Sequence, residues 1–139
     1  MNSVRVPKLG KQPKDLAEAG DLKAALVALV RDRDHVSFIE VERLFGPYMP
    51  TEGEHALEPI PAGGKSVNII VWLGMSQQFF DLIRECLSEG LIRIVPCPFW
   101  IYVIDGKVPS LPVARRVPKG GYKEPHWAPG VMRLGEGVT

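Results

Sequence analysis

Between Arg115 and Trp127 the chain interleaves cations with aromatic rings: Arg115, Arg116, Lys119 and Lys123 alternate with Tyr122 and Trp127. Guanidinium and ammonium groups neutralise phosphates and aromatic faces stack on bases, so this combination suits tracking a nucleic-acid backbone. The same residues suit an acidic protein surface, a partner's or this chain's own. A second constellation sits at the start of a helical pattern. Gln77 and Gln78 carry amides that can bond adenine N6 and N7 together, and Asp81 and Arg84 follow outside the helix's apolar stripe. Asp81, Glu85 and Glu89 against Arg84 leave that helix net acidic, which opposes its entry among phosphates. The plainer reading is a polar helix face open to solvent or to a partner protein.

Other chemistries find little support. His35, His55 and His126 are far apart, and none pairs with cysteine or carboxylate at metal-ligand spacing, so no metal and no cofactor is expected. Gly63-Gly64-Lys65-Ser66 ends like a phosphate-binding loop, but Pro59 stands where that pattern needs glycine. A β-prone run follows it where a helix should open, so it reads as a turn. Ser76 lacks the Gly-x-Ser-x-Gly elbow of a hydrolase, and helix capping explains it. No nucleophile–base or acid–base set meets the geometric requirements of catalysis, and the expectation is a protein that is not an enzyme.

The formal net charge of +1 hides a segregation. Residues 1–14 carry Arg5, Lys8, Lys11 and Lys14 with no acid. Residues 15–106 carry seven Lys/Arg against fourteen Asp/Glu, and residues 107–139 carry six basic residues against Glu124 and Glu136. An acidic core between two basic arms follows. A length of 139 residues fits one domain with extensions. No apolar run approaches the roughly 20 residues that span a bilayer. The basic N-terminus has no apolar stretch after it, so it does not read as a secretory signal. Cys86 and Cys97 make no disulfide framework, and a cytoplasmic setting is expected.

The stretch that must position these residues is Met75–Gly106. Ser76 caps a helix whose apolar stripe is Phe79, Leu82, Ile83, Cys86 and Leu87, and Gly90 closes it. Two β-rich runs follow, Leu91–Val95 and Phe99–Ile104, joined by Pro96-Cys97-Pro98 and ended by Asp105-Gly106. Upstream, Asp21 can cap a helix with Leu22, Ala25, Leu26, Leu29 and Val30 on its apolar face. His35-Val36 is a stub of strand. Ser37-Phe38-Ile39-Glu40 is then a capping box, flanked by Val36 and Val41 as a hydrophobic staple, opening a helix that runs to Phe45. Residues 46–66 read as an exposed loop carrying Glu52, Glu54 and Glu58, and Val67–Leu73 as a buried strand beside the downstream pair.

Helix, stub strand and helix, then a helix with a tight exit and a hairpin, resembles the winged helix-turn-helix superfamily over about residues 21–106. The resemblance implies an α+β fold, three helices with a small antiparallel sheet, here with a long insertion at 46–74 before the third helix. A basic N-terminal arm covers 1–20. A Pro-rich basic extension covers 107–139, extended and docked on the domain or on a partner. The resemblance further implies a nucleic-acid-binding transcription regulator with DNA as partner. The acidic core favours the alternative, a protein-binding winged helix acting on the transcription machinery, RNA polymerase for example. The residues that would carry either role are Gln77, Gln78, Asp81, Arg84, Arg115, Arg116, Lys119, Tyr122, Lys123 and Trp127.

Overall fold

A computed structural model of the chain describes residues 12–59 and 66–136. Arg5, Lys8, Lys11 and the Gly63-Gly64-Lys65 turn lie outside the described residues. Within them the fold is α+β, with five helices and three two-stranded sheets. No helix among the described residues is long and apolar enough to cross a membrane.

Helix α1 (Pro13–Glu18) starts on a proline, whose missing N–H would have had no helical partner there. Helix α2 (Leu22–Arg33) is the centre of the molecule. Its expected apolar stripe is too narrow, because every residue from Ala24 to Val30 is buried. The three alanines Ala24, Ala25 and Ala28 let neighbouring elements approach on sides that larger residues would hold apart. Asp21 precedes α2 without a side-chain capping bond, which departs from the role expected of it.

Val36 exchanges two backbone hydrogen bonds with Met132, at 3.0 and 2.7 Å, so the stub strand exists. Ser37 then caps α3 (Phe38–Phe45), its hydroxyl oxygen accepting from the Glu40 amide at 3.2 Å. The reciprocal arm of the capping box is replaced. The Glu40 carboxylate lies 3.5 Å from Arg33, and the Ser37 hydroxyl donates to Asp105 at 2.7 Å.

The insertion holds more pairing than its composition suggested. β1 (Glu52–Leu57) pairs antiparallel with β3 (Trp72–Met75) through an irregular register. β2 (Ile69–Ile70) instead pairs in parallel with β5 (His126–Trp127). The single strand expected at Val67–Leu73 is therefore split between two sheets, with Val71 at the break donating its amide to Leu57. Glu52 and Glu54 remain exposed, as the loop reading had them. An edge strand with charged outward residues is hard to tell from a loop by composition.

Helix α4 (Gln77–Ser88) and β4 (Ile92–Pro96) fall where expected, with Ser76 accepting from the Phe79 amide at 3.0 Å and Gly90 at φ +71° closing the helix. The second strand of the expected hairpin does not. Phe99–Ile104 is not β but lies in helix α5 (Trp100–Asp105), closed by Gly106 at φ +95°. Its place beside β4 is taken by β6 (Gly130–Leu134), registered antiparallel from Ile92↔Leu134 to Pro96↔Gly130. The three-stranded sheet expected from Val67–Leu73 and a local hairpin is corrected accordingly. Aromatic and β-branched residues made Phe99–Ile104 look like a strand, yet a strand would set Tyr102 on the same face as Trp100 and Ile104. The helix sends Tyr102 inward alone to full burial and leaves the other two at the surface.

The Pro-rich C-terminal extension is irregular over most of its described length and forms only β5 and β6. The extension docks on its own domain and supplies core residues Trp127, Val131 and Met132, all buried. Phe38 stacks on Trp72 at 5.5 Å between ring centres, Trp72 meets Tyr102 at 5.0 Å, and Tyr102 meets Trp127 edge-on at 5.3 Å. Each polar edge in this column is satisfied: Trp72 donates to Glu42, Trp127 to Val71, and the Tyr102 hydroxyl donates to Gly130 while accepting from Phe38. Phe79, Leu82, Ile83, Leu26, Leu29, Phe45 and Ile92 share one core cluster, as the helix phase required. Leu87 packs at its margin.

Candidate functional site

Residues 114–125 leave the body of the domain and return to it at almost the same point. Val113 bridges Trp127 in parallel, the Ala114 amide donates to Trp127 at 2.7 Å, and the Trp127 amide donates to Pro112 at 2.8 Å. The far end folds on Gly120 and Gly121, at φ +82° and +92°, with the Gly121 amide donating to Pro118. Glycine is required at 121 twice over: a Cβ there would stand 2.6 Å from Val67 Cα, in a backbone conformation that side chains disfavour.

Tyr122 clamps this loop from inside. Its amide donates to the Val67 carbonyl at 2.9 Å, its carbonyl accepts from the Asn68 side chain at 2.8 Å, and its hydroxyl donates to the Arg116 carbonyl at 2.9 Å. Its ring stacks on His126 at 3.6 Å. With the backbone held this way, Arg115, Arg116, Lys119 and Lys123 all point into solvent. None of the four is in any ion pair found among the described residues. Four cations in nine residues face only Glu124 as a neighbouring acid in the loop, so the loop carries a concentrated positive potential.

The aromatic half of the expected constellation does not survive. Trp127 is fully buried and wedged against Tyr102, so it offers no face to a base. Tyr122 is half-buried, with one face covered by His126. Spacing alone cannot tell a stacking platform from an aromatic needed to complete a core.

Gln77, Gln78, Asp81 and Arg84 are exposed on α4, as expected. Gln77, Asp81 and Arg84 are already engaged with one another or with their neighbours. Gln77 donates its amide to Asp81 at 2.9 Å, and Arg84 lies over the Phe80 ring, which in turn stacks on His55. Glu85 and Glu89 both pair with Lys23. Helix α4 packs on α2, β1 and β4, whereas the cationic loop is held by Val67 and Asn68, just before β2. No hydrogen bond or ion pair among the described residues joins the two sets, so they are separate surfaces. Sequence reasoning missed Val67 and Asn68, which hold the loop. The available signal was an asparagine inside a β-prone run; here it sits at φ +57°, a conformation asparagine tolerates better than most residues.

Burial disfavours the thiolate form of both cysteines. Burial pushes Cys86 up to about 12 and Cys97 up to about 11, so little thiolate forms near neutrality. Among the described residues, no group of three or more His, Cys, Asp or Glu could hold a metal ion. Comparisons of the chain with protein-family models, with curated proteins and with solved structures find no match.

Proposed function

We propose that this chain is a non-enzymatic, nucleic-acid-binding transcription regulator that grips duplex DNA through the 114–125 loop and not through α4. The observation that carries the reading is the set of four solvent-facing, unpaired cations on a loop whose backbone is fixed by Tyr122 and Asn68. A fixed array of cations meets phosphates with less loss of chain entropy than a loose tail. The winged helix resemblance enters the proposal in modified form. Val36 pairs with β6, and β6 pairs with β4, both antiparallel; in this reading they stand for the stub strand and the two strands of a wing. The wing's tip is then the long connection from Cys97 to Pro129, which carries the cationic loop. A cytoplasmic setting belongs to the same proposal.

The test is the salt dependence of binding to a duplex of arbitrary sequence, read by fluorescence anisotropy. Binding weakens with salt at a log–log slope of about −0.9 per phosphate contacted. Replacing Arg115, Arg116, Lys119 and Lys123 with alanine flattens that slope and lowers affinity for every sequence alike. Absence of binding at low salt overturns the proposal. A second reading, a protein-binding module working on the transcription machinery, is favoured by the exposed acidic face of α4 around Asp81 and Glu85. A protein that co-purifies with the chain after nuclease treatment, and is lost on Asp81→Lys, selects that reading.

A further inference from the structure

Helix α5 presents an apolar ridge to solvent. Phe99, Trp100, Val103 and Ile104 are 43%, 51%, 53% and 74% exposed, and they fall on one side of a short helix whose opposite side is anchored by Tyr102. Together they offer on the order of 400 Å² of apolar surface, within the ~300–600 Å² range that the largest patch on a monomer reaches. Immediately beside the ridge runs a groove of about 440 Å³ with an apolar wall of Pro96, Cys97, Pro98, Ile101 and Val131 and a polar wall of His35, Ser37, Glu40 and Asp105. Ridge and groove share the Ile104 side chain.

We infer that this face is the contact between two copies of the chain, each placing its α5 ridge in the other's groove about a twofold axis. Three observations select a second copy over another occupant. A ridge adjoining a groove on one surface is self-complementary, which an isologous twofold contact requires. Two cations around it are committed within the chain, Lys107 to Glu42 at 3.1 Å and Arg33 to Glu40 at 3.5 Å, while the Asp105 carboxylate accepts from Ser37 at 2.7 Å and has no cation partner among the described residues. The four exposed ridge side chains carry no charge for a partner to read, and apolar surface at the centre of the patch is typical of homodimer contacts. Finally, the ridge provides about half of the ~800 Å² per partner in a standard interface, and the groove walls provide a further share. The other exposed helix face, on α4, carries Asp81, Glu85 and Glu89 and would repel its own copy.

Sedimentation equilibrium of the full chain across the micromolar range reads the inference directly. The wild-type protein sediments with the mass of two chains. The double variant Val103→Glu/Ile104→Glu sediments as one chain, its self-association weakened about 100-fold or more, the scale on which a central interface residue acts. Glu54→Lys, an exposed change away from α5, stays dimeric. Both ridge residues are exposed in the single chain, so circular dichroism of the double variant matches wild type. A second readout is alkylation of Cys97, which lines the groove: it slows with rising protein concentration in wild type and is concentration-independent in the double variant. A wild-type chain that stays monomeric throughout overturns the inference, as does a double variant that remains dimeric. A monomeric wild type that co-sediments with lipid vesicles assigns the ridge to a membrane surface, and also overturns it.

Discussion

Helices α4 and α5 lie next to each other in the chain and divide inside from outside in opposite ways. Helix α4 turns Phe79, Leu82, Ile83 and Cys86 inward and leaves Gln77, Gln78, Asp81, Arg84 and Glu85 in water. Helix α5 turns Tyr102 inward and leaves Phe99, Trp100, Val103 and Ile104 in water. The outer face of α4 is compatible with an isolated chain: its polar groups keep their hydration and bond with one another. The outer face of α5 gains nothing from folding, because its apolar surface stays wet in the single chain. A helix of the first kind has finished its packing within the domain. A helix of the second kind has packing still to do.

The largest effect that tests this contrast lies on the inner face of α5. Tyr102 joins Trp72 and Trp127 by its ring and bridges Gly130 and Phe38 by its hydroxyl. Tyr102→Ala leaves both a cavity and two buried backbone groups without their partner. The expected cost is about 3–5 kcal/mol from the ring, with about 1–3 kcal/mol more for the unpaired groups. Urea unfolding measures it; a cost below about 1 kcal/mol would mean that α5 is not anchored as described. On α4 the matching change is Leu82→Ala, with an expected cost of about 2–5 kcal/mol, measured in the same way.

The two inner faces also share a response to alkali. Burial raises Cys86 from 9.0 to about 12, and it raises Tyr102 above its usual value as well. The folded state therefore keeps protons that the unfolded chain gives up. The stability tied to Cys86 is complete below pH 9 and is lost as pH rises toward about 12, by up to a few kcal/mol. Tyr102 adds a loss of the same sign beginning near pH 10. Cys86→Ala is expected to flatten the lower part of this decline, and Tyr102→Phe the upper part. Denaturation midpoints taken across the alkaline range check both; a stability that rises above pH 9 would contradict them.

Why α4 was legible in the sequence and α5 was not follows from the same contrast. Twelve residues with a serine cap, a full apolar stripe and a terminal glycine give a helical period that nothing else fits. Six residues, nearly all aromatic or β-branched, show no period, because both faces are apolar: one for the core and one for the surface. Ser37 shows the same limit at a smaller scale. Its capping role was readable from Glu40 three residues on, but its bond to Asp105, sixty-eight residues away, was not. The site divides likewise. The four cations of the loop were visible as a local cluster, whereas the burial of Trp127 depends on Val71 and Tyr102, far away in sequence. The strand that pairs with β4 is β6, reached after an excursion through six prolines from Pro98 to Pro129, and no local signal pairs it with β4.

Ser37→Ala lies next in size, since it removes a cap and leaves Asp105 without its donor. About 1–2 kcal/mol is expected, slightly above the middle of the usual cost of a lost cap. The double-mutant cycle with Asp105→Ala separates the two contributions: a coupling energy near zero would show that the α3 cap and the α5 contact are independent.

The smallest effect is the most discriminating. Ile104 is 74% exposed, so the single chain derives little from its side chain. In dilute solution, where the chain is alone, Ile104→Ala should change the unfolding free energy by no more than about 0.5 kcal/mol, the ordinary range for a surface site. Leu82→Ala, at 6% exposure, should cost several times that at every concentration. Raising the protein concentration separates the two positions further. A contact made only between copies adds stability by mass action, so the penalty of Ile104→Ala grows with concentration while that of Leu82→Ala does not. Thermal midpoints measured over a concentration series read this directly. Equal penalties for the two variants in dilute solution would place Ile104 in the core and remove the contrast between α4 and α5.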